Sequence, residues 1–456
     1  MVERSESSSP DARDPHWPNG DSLAGPTAAE SLTTARGSSS LRPFHHRNYL
    51  LLWSGGMVSI VGSWMQTVAV GALIVAHTGS ATWAVVIAAG GFLPIGLLSP
   101  IGGALADRIA RRAALVTGNL VAGAVALAIA LLVAAGNDSP WILTLLVTVQ
   151  GSVSALIGPF QQAILPDLVP PSEFLAAVSL NSAQFNLGRV IGPALAGVTI
   201  AAFGYPDAFV ANAASFLAVV VALLFIQLSP PPGRGERAGL LTSLRLGARA
   251  AHSEPGCRAA IGTIAVVAFL ASPFIALVPV MAHRLSGGGA RGIASATSLL
   301  TTAQGVGAVA GALAIAPLAV RFGRGRLLMG SLSVLPVVLV LYGFAPSLAL
   351  ALPALFAVGL IYIGVLSGLS TVVQLRAPAE LRGRVLSLYL VALGVSYPIG
   401  SLVQGPLADT FGLAWTTAAT SALLAIALLA TRILRPAIFQ TLAAPTSKEL
   451  PSTRSS

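Results

Sequence analysis

The sequence predicts an all-α membrane protein with twelve transmembrane helices, arranged as two six-helix halves related by a parallel pseudo-two-fold repeat. Three observations support this prediction: apolar runs recur along the chain, charged residues are scarce, and small residues repeat at a constant offset. Of 456 residues, 55% are hydrophobic and 9% are charged, whereas a soluble domain carries about 25% charged residues. Because lipid offers the backbone no hydrogen-bond partners, each run of roughly 18–25 apolar residues is expected to form a helix.

The apolar runs place six helices before one long polar segment and six after it. The first six predicted helices span 46–76, 83–106, 113–135, 140–164, 176–203 and 207–228. The second six span 257–283, 293–319, 327–344, 347–373, 384–409 and 412–434. The predicted domains are a disordered cytoplasmic tail, an N-terminal half, a cytoplasmic linker, a C-terminal half and a second cytoplasmic tail, over 1–40, 41–228, 229–256, 257–435 and 436–456. The Ser, Pro and Gly content of the first tail is typical of disorder.

Basic residues indicate the orientation. Most of the 26 Lys and Arg fall in the tails and in the 2–3, 6–7, 8–9 and 10–11 loops, whereas the opposite side has Arg284 and Arg291. The positive-inside rule makes the crowded side cytoplasmic, and an even number of helices puts both termini there. We therefore expect a multi-pass protein of the cell (inner) membrane. Its net charge of +10 indicates contact with anionic lipid headgroups; dispersed basic residues do not predict nucleic-acid binding.

The two halves repeat small residues at one offset. The segment Gly103–Ala106 recurs at Gly311–Ala314. Other matched pairs are Gly151 and Gly359, Pro170 and Pro378, Gly192 and Gly400, Gly197 and Gly405, and Gly204 and Gly412. Both copies start on the same side, so the repeat is parallel, as in transporters whose halves rock around a central site.

Two segments carry a resemblance to a known family. The 2–3 loop, GGALADRIARR, fits the pattern Gly-x3-Asp-Arg-x-Gly-Arg-Arg at Gly103, Asp107, Arg108, Arg111 and Arg112. Helix 5 contains GRVIGPALAG, which fits Gly-x3-Gly-Pro-x2-Gly-Gly at Gly188, Gly192, Pro193 and Gly197. These patterns resemble the major facilitator superfamily over about residues 42–435. The opening FHHRNYLLLWSGG and the later APAELRGRVLSLYL look like its branch that contains the enterobactin exporter and macrolide efflux proteins.

The resemblance implies roles for both patterns. The family uses the loop to hold the halves closed on the cytoplasmic side, with Asp107 facing the start of helix 11, where a carboxylate meets a positive helix end; ordinary positive-inside charges are the alternative. The matching second-half loop, Arg321–Arg326, has no acid. In helix 5, Gly188 and Gly192 lie four residues apart, so they allow a neighbouring helix to approach. The family interpretation is resistance to leakage, and plain packing is the alternative.

Arg189 is the main candidate for a residue of the central cavity. It lies about 13 residues from either end of predicted helix 5, hence about 20 Å deep, where a charge normally faces a cavity or a partner. Asn186 shares its face, and all sixteen Asp and Glu fall in tails, loops or helix ends. A cavity role and a purely structural role remain open.

Gln66 and Gln150 are further cavity candidates, because helices 1, 4, 7 and 10 line the cavity in the resembled family. For each, an interhelical hydrogen bond is the alternative. Proton coupling stays open, because Val147 stands where proton-coupled exporters often have arginine. Asp207 and Asp409, near the outer helix ends, are the acids that could titrate, and ordinary interface charges are the alternative.

Three function classes were compared. The first is a secondary exporter of a bulky small molecule, such as a siderophore or a macrolide-like antibiotic, working by alternating access. The second is an importer or lipid-moving carrier on the same fold, and the third is a membrane-embedded enzyme or sensor. The sequence contains no P-loop, HExxH or GxSxG pattern, which favours a transporter without catalytic residues, metal or cofactor. The expected partners are a small-molecule substrate and membrane lipid, and a monomer is expected.

Overall fold

The computed structural model describes residues 41–106, 108–226 and 240–443. Within them, twelve helices are long and apolar enough to cross a membrane. The first six are α1 Arg47–Thr78, α2 Ala81–Ala106, α3 Arg111–Ala134, α4 Pro140–Ile164, α5 Phe174–Ala202 and α6 Tyr205–Phe225. The second six are α7, in two pieces, Pro255–Leu270 and Phe274–Leu285, then α8 Ala290–Phe322, α9 Arg324–Gly343, α10 Leu348–Arg376, α11 Arg382–Phe411 and α12 Leu413–Leu434. The predicted twelve-helix fold is confirmed.

Glycine makes the tightest connections between helices. A single residue, Gly323, separates α8 from α9, and Gly412 separates α11 from α12. Their φ angles are 84° and 85°, in a region that glycine enters without steric cost. A chain that must reverse across one residue therefore uses glycine at both places.

Matched glycines make matched contacts in the two halves. A Cβ at Gly151 of α4 would overlap the Gly91 carbonyl of α2, and a Cβ at Gly359 of α10 would overlap the Gln304 carbonyl of α8. These are the same two helices of each half, in the same order. The sequence repeat therefore corresponds to a repeated packing arrangement.

The halves meet along two helix pairs, α5 with α8 and α2 with α11. A Cβ at Gly197 of α5 would lie 2.9 Å from the Ser298 Cβ of α8. A Cβ at Gly405 of α11 would lie 3.0 Å from the Thr82 Cα of α2. Gly197 and Gly405 are a matched pair of the repeat, so the two interfaces are equivalent.

Three segments depart from the sequence prediction. The predicted single helix over 257–283 is interrupted at 271–273. The predicted linker, 229–256, contains the helix Leu240–Ser253, and the predicted tail, 436–456, contains the helix Pro436–Ala443. The described residues do not include the predicted tail 1–40, the end of predicted helix 6 at 227–228, the linker part 229–239, the segment 444–456 and Asp107.

We call the side that carries the α2–α3, α8–α9 and α10–α11 connections the basic side, after Arg108, Arg324 and Arg382. The other side is called the opposite side. The helix Leu240–Ser253 lies on the basic side and packs against α11, where a Cβ at Gly247 would lie 3.1 Å from the Arg384 Cβ.

Candidate substrate site and gates

Arg189 lies in the middle of α5, at the contact between the halves. Its carbonyl oxygen would lie 2.9 Å from a Cβ on Gly305 of α8. Its guanidinium carbon lies 5.8 Å from the centre of the Trp64 ring of α1, a cation–π contact of about 0.5–2 kcal/mol. Its Nε is buried without a hydrogen-bond partner among the described residues, and none of the salt bridges found there includes it. The Arg189 guanidinium can therefore donate a further hydrogen bond.

Polar groups of the C-terminal half face the same region. Tyr362 of α10 lies within electrostatic range of Arg189 and of Tyr397 on α11. The Tyr362 hydroxyl is 2.7 Å from the Ser272 hydroxyl, at the interruption of α7. Tyr397 OH and Gln304 Nε2 are buried without partners in the described part of the chain. Because unpartnered buried polar groups are rare, this cluster is a candidate for binding a polar ligand.

We call Arg189, Gln304, Tyr362 and Tyr397 the central polar cluster. Tyr397 is three residues before Gly400, as Arg189 is three residues before Gly192, so the two occupy matching positions of the repeat. One half contributes a cation and the other contributes hydroxyl and amide groups. This arrangement suits a ligand that carries carbonyl or anionic oxygens beside an aromatic or apolar body.

The other predicted cavity residues bond to the protein. Gln66 and Gln150 are only 6% and 9% exposed. Gln66 Nε2 donates to Gln150 Oε1 at 2.5 Å, and Asn212 Nδ2 of α6 donates to Gln66 Oε1 at 2.7 Å. Asn186 Nδ2 donates to the Ser182 carbonyl of its own helix at 2.8 Å. In this conformation Gln66 and Gln150 join α1, α4 and α6 by interhelical hydrogen bonds, whereas the bond of Asn186 stays within α5.

The helix-5 pattern lies against α1. A Cβ at Gly188 would lie 2.7 Å from the Ile60 Cγ2, and one at Gly192 would lie 2.7 Å from the Val61 carbonyl. Pro193 is buried within a continuous α5. Gly188 and Gly192 therefore allow close approach to α1, whereas Gly197 faces α8.

The arginines of the 2–3 loop pattern bond within the N-terminal half. Arg111 Nη1 lies 2.5 Å from Asp167 Oδ2, and Arg112 Nη2 donates to the Leu224 carbonyl at 2.7 Å. Arg108 is exposed, and a Cβ at Gly103 would meet no atom within 4 Å. The position of Asp107 itself is not described.

The two halves are joined on the opposite side. Asp409, at the end of α11, accepts hydrogen bonds from Ala81 N at 2.6 Å and Thr82 N at 2.9 Å, at the start of α2. The Tyr205 hydroxyl donates to the Ala290 carbonyl at 2.8 Å, between α6 and the start of α8. Both contacts join the two halves.

The interface between α5 and α8 is tight on the opposite side and at mid-membrane. Gly197 contacts α8 on the opposite side, and Gly305 contacts α5 at mid-membrane. Farther along α5, Ser179 and Ser182 are exposed and bond to the carbonyls of their own helix. These hydroxyls are satisfied without a contact to the other half.

Sequence reasoning missed Tyr362 and Ser272 as site residues and Asp409 as a contact between halves. A signal existed for Tyr362 and for Ser272. Tyr362 lies at the centre of an apolar run, where a buried phenol normally finds a partner. Ser272-Pro273 interrupts another run, and proline disfavours helix at the preceding residue. The partners themselves depend on packing between distant helices.

Twelve membrane-spanning helices in two matched six-helix halves are the architecture of a membrane transporter. The family model described as transmembrane secretion effector matches residues 38–454. The chain belongs to this family, within the major facilitator superfamily, and the predicted resemblance is confirmed. The function class of membrane-embedded enzymes is thereby set aside.

Similarity to known proteins extends over most of the chain. The chain is 27% identical over 384 residues to the multidrug efflux pump Tap of Mycolicibacterium fortuitum, and the match covers 82% of this chain and 92% of the pump. It is 22% identical over 375 residues to macrolide efflux protein A of Streptococcus pyogenes, covering 80% and 90%. A solved bacterial homologue of the human lysosomal transporter Spinster matches with a TM-score of 0.70 and 16% identity, over 90% of this chain and 100% of that one.

Proposed function

We propose that the protein exports a bulky small molecule, a siderophore or a macrolide-like antibiotic, from the cytoplasm by alternating access. The observation that carries export is the similarity to proteins named as efflux pumps, over four-fifths of this chain. The fold supports a carrier, since two halves surround the central polar cluster.

The proposal includes an orientation. The basic side faces the cytoplasm and both termini lie there, because most basic loops are on that side and the positive-inside rule assigns them to it. The conformation is then closed outside, with its entrance toward the cytoplasm. An exporter in this state is ready to take up substrate from inside the cell.

Arg189 is the proposed substrate-facing cation. Its guanidinium retains a buried, unpartnered Nε, and Tyr362 lies within electrostatic range. A planar guanidinium gives directional donors to carbonyl or anionic oxygens. The ring of Trp64 beneath it offers an apolar surface for the rest of the ligand.

Transport in energised inverted membrane vesicles tests the proposal. Accumulation of a panel of siderophores and antibiotics is compared between vesicles with the wild-type chain and vesicles with Arg189→Ala at matched protein level. We expect energy-dependent accumulation of at least one compound in vesicles with the wild-type chain and no accumulation in vesicles with Arg189→Ala. Accumulation confined to right-side-out vesicles would favour the importer, and movement of fluorescent phospholipid without any panel compound would favour the lipid carrier.

A further inference from the structure

The start of α2 is capped by a carboxylate from the other half of the molecule. The first N–H groups of a helix have no partner within the helix, and they carry partial positive charge. Here Asp409 Oδ1 accepts from Ala81 N at 2.6 Å and Asp409 Oδ2 accepts from Thr82 N at 2.9 Å. The Ser80 hydroxyl also donates to Oδ2, at 2.8 Å. A single side chain thus satisfies three donors across the interface.

The backbone around Asp409 makes this contact geometrically possible. Gly405 lies one turn earlier on the same face of α11, and a Cβ there would overlap the Val85 side chain and lie 3.0 Å from the Thr82 Cα. The absent side chain lets α11 approach α2 closely. The short carboxylate of Asp409 then reaches the end of α2.

The contact exists only while the halves are together on the opposite side. Alternating access requires the halves to separate there when the other side closes. Separation exposes Ala81 N, Thr82 N and the Asp409 carboxylate to water. The hydrogen bonds therefore favour the conformation in which the halves are joined on the opposite side. We infer that Asp409 is a latch that stabilises closure on the opposite side and sets the balance between the two conformations.

The repeat does not provide a second copy of the latch. The position that matches Asp409 at the end of α5 is Ala201, four residues after Gly197 as Asp409 is four after Gly405. There the halves are joined by the Tyr205 hydroxyl and the Ala290 carbonyl. Among the described residues, Asp409 is the carboxylate whose hydrogen bonds cross between the halves.

The latch has a counterpart that the sequence predicts on the basic side. Asp107 follows the end of α2 and, by resemblance, faces the start of α11. Because α2 and α11 run antiparallel, the resemblance predicts a matching contact for Asp107 on the basic side, formed in the other conformation. Removal of the two acids is then expected to shift the equilibrium in opposite directions.

A distance measurement tests the latch without any substrate. The full chain in lipid nanodiscs, with Cys257→Ser, is spin-labelled at Ala135→Cys and Ser347→Cys, two exposed residues on the opposite side in different halves. Double electron–electron resonance then reports how far the halves are apart. We expect Asp409→Ala to raise the ratio of separated to closed molecules about fivefold, the equivalent of about 1 kcal/mol for a helix cap.

Three further variants sharpen the test. Asp409→Asn keeps an acceptor oxygen and is expected to retain most of the closed population, since Asn also caps helices well. Asp207→Ala removes an exposed acid at the same side and is expected to leave the distances unchanged. Asp107→Ala, which removes the acceptor predicted on the basic side, is expected to lower the separated population. Wild-type distances in folded Asp409→Ala would overturn the latch.

This inference rests on alternating access, and the two proposals fail separately. The distance distributions do not depend on substrate or direction, so they test the latch even if no panel compound is exported. Export by wild-type vesicles together with unchanged distances in Asp409→Ala would remove the latch and leave the exporter in place.

Discussion

Gly192 on α5 and Gly400 on α11 occupy matching positions of the two halves, and each brings its helix against the first helix of its half. A Cβ at Gly192 would lie 2.7 Å from the Val61 carbonyl of α1, and a Cβ at Gly400 would overlap the Phe269 carbonyl of α7. Three residues earlier the likeness ends, because Arg189 in one half is matched by Tyr397 in the other.

The comparison separates what the repeat preserves from what it does not. Close helix contacts recur because they fix the backbone of a six-helix half, whatever the half binds. Charged and polar positions differ, as with Arg189 and Tyr397, because they determine what can occupy the space between the halves. The central polar cluster is therefore chemically asymmetric within a symmetric scaffold.

The largest effect on transport is expected at Arg189, the cation that has no charged counterpart in the C-terminal half. Arg189→Ala should reduce transport to the level of vesicles without the protein while the chain still inserts, because the donor fork is lost. Arg189→Lys should keep part of the activity, since it retains charge without the planar fork. Transport at matched expression measures both.

The control for charge loss is Arg291→Ala, at an exposed position, which should transport normally. Labelling of Arg189→Cys by a membrane-impermeant thiol reagent in a Cys257→Ser background checks access to the cavity. Full transport by the alanine variant with an unlabelled cysteine would reduce Arg189 to a packing role.

The matched glycines should respond alike. Gly192→Ala and Gly400→Ala each force a Cβ against backbone, and overpacking typically costs about 1–3 kcal/mol. Both are expected to lower the thermal unfolding temperature in detergent. Gly330→Ala, where a Cβ meets no atom within 4 Å, should leave it unchanged or raise it; a normal temperature for either matched variant would break the equivalence of the halves.

A hydroxyl of the C-terminal half should have a smaller effect. Tyr362→Phe removes the hydrogen bond of 2.7 Å to Ser272, whose hydroxyl keeps the Val267 carbonyl at 3.5 Å, so we expect a cost of about 0.5–1.5 kcal/mol. Tyr342→Phe removes a buried hydroxyl that has no partner among the described residues and should be neutral. Equal unfolding temperatures for the two variants would contradict a specific role for the Tyr362–Ser272 pair.

The smallest effect on transport is expected in the 2–3 loop, whose acidic and basic pattern has no acid in the second half. Asp107→Asn removes a charge whose interaction with a helix start is worth about 0.3–1 kcal/mol, hence a slowing of up to about fivefold. The second-half loop, Arg321–Arg326, has no acid, so the same change has no counterpart there. Wild-type transport by Asp107→Asn at normal protein level would show that the loop charges serve orientation alone.

Sequence reasoning predicted the spans and the repeat because both are local. Apolar length defines a membrane helix, and glycine at a fixed offset marks a repeated contact. The interruption of α7 at 271–273 was missed, since Pro273 in an apolar run can also sit in an unbroken membrane helix. The amphipathic helix Leu240–Ser253 was missed inside a segment treated as linker, although its apolar and basic residues alternate with helical spacing.

Side-chain pairs between distant helices could not be predicted from one sequence. Gln66 and Gln150 were each expected as cavity candidates, and nothing in their spacing indicates that they bond to each other. Asp409 was noted as an interface charge, but its partners lie more than three hundred residues earlier. Such pairs follow from how α1, α4 and α6, or α2 and α11, are packed.

The interruption of α7 has a mechanical consequence. Its last turn before the break leaves carbonyl groups without partners in their own helix, and Gln404 Nε2 of α11 donates to the carbonyls of Phe269 and Leu270, at 3.0 and 3.1 Å. Gly400 admits the same stretch of backbone. Sliding of α11 along α7 would break these hydrogen bonds, so we expect the two helices to move together and to carry the latch at the end of α11 with them.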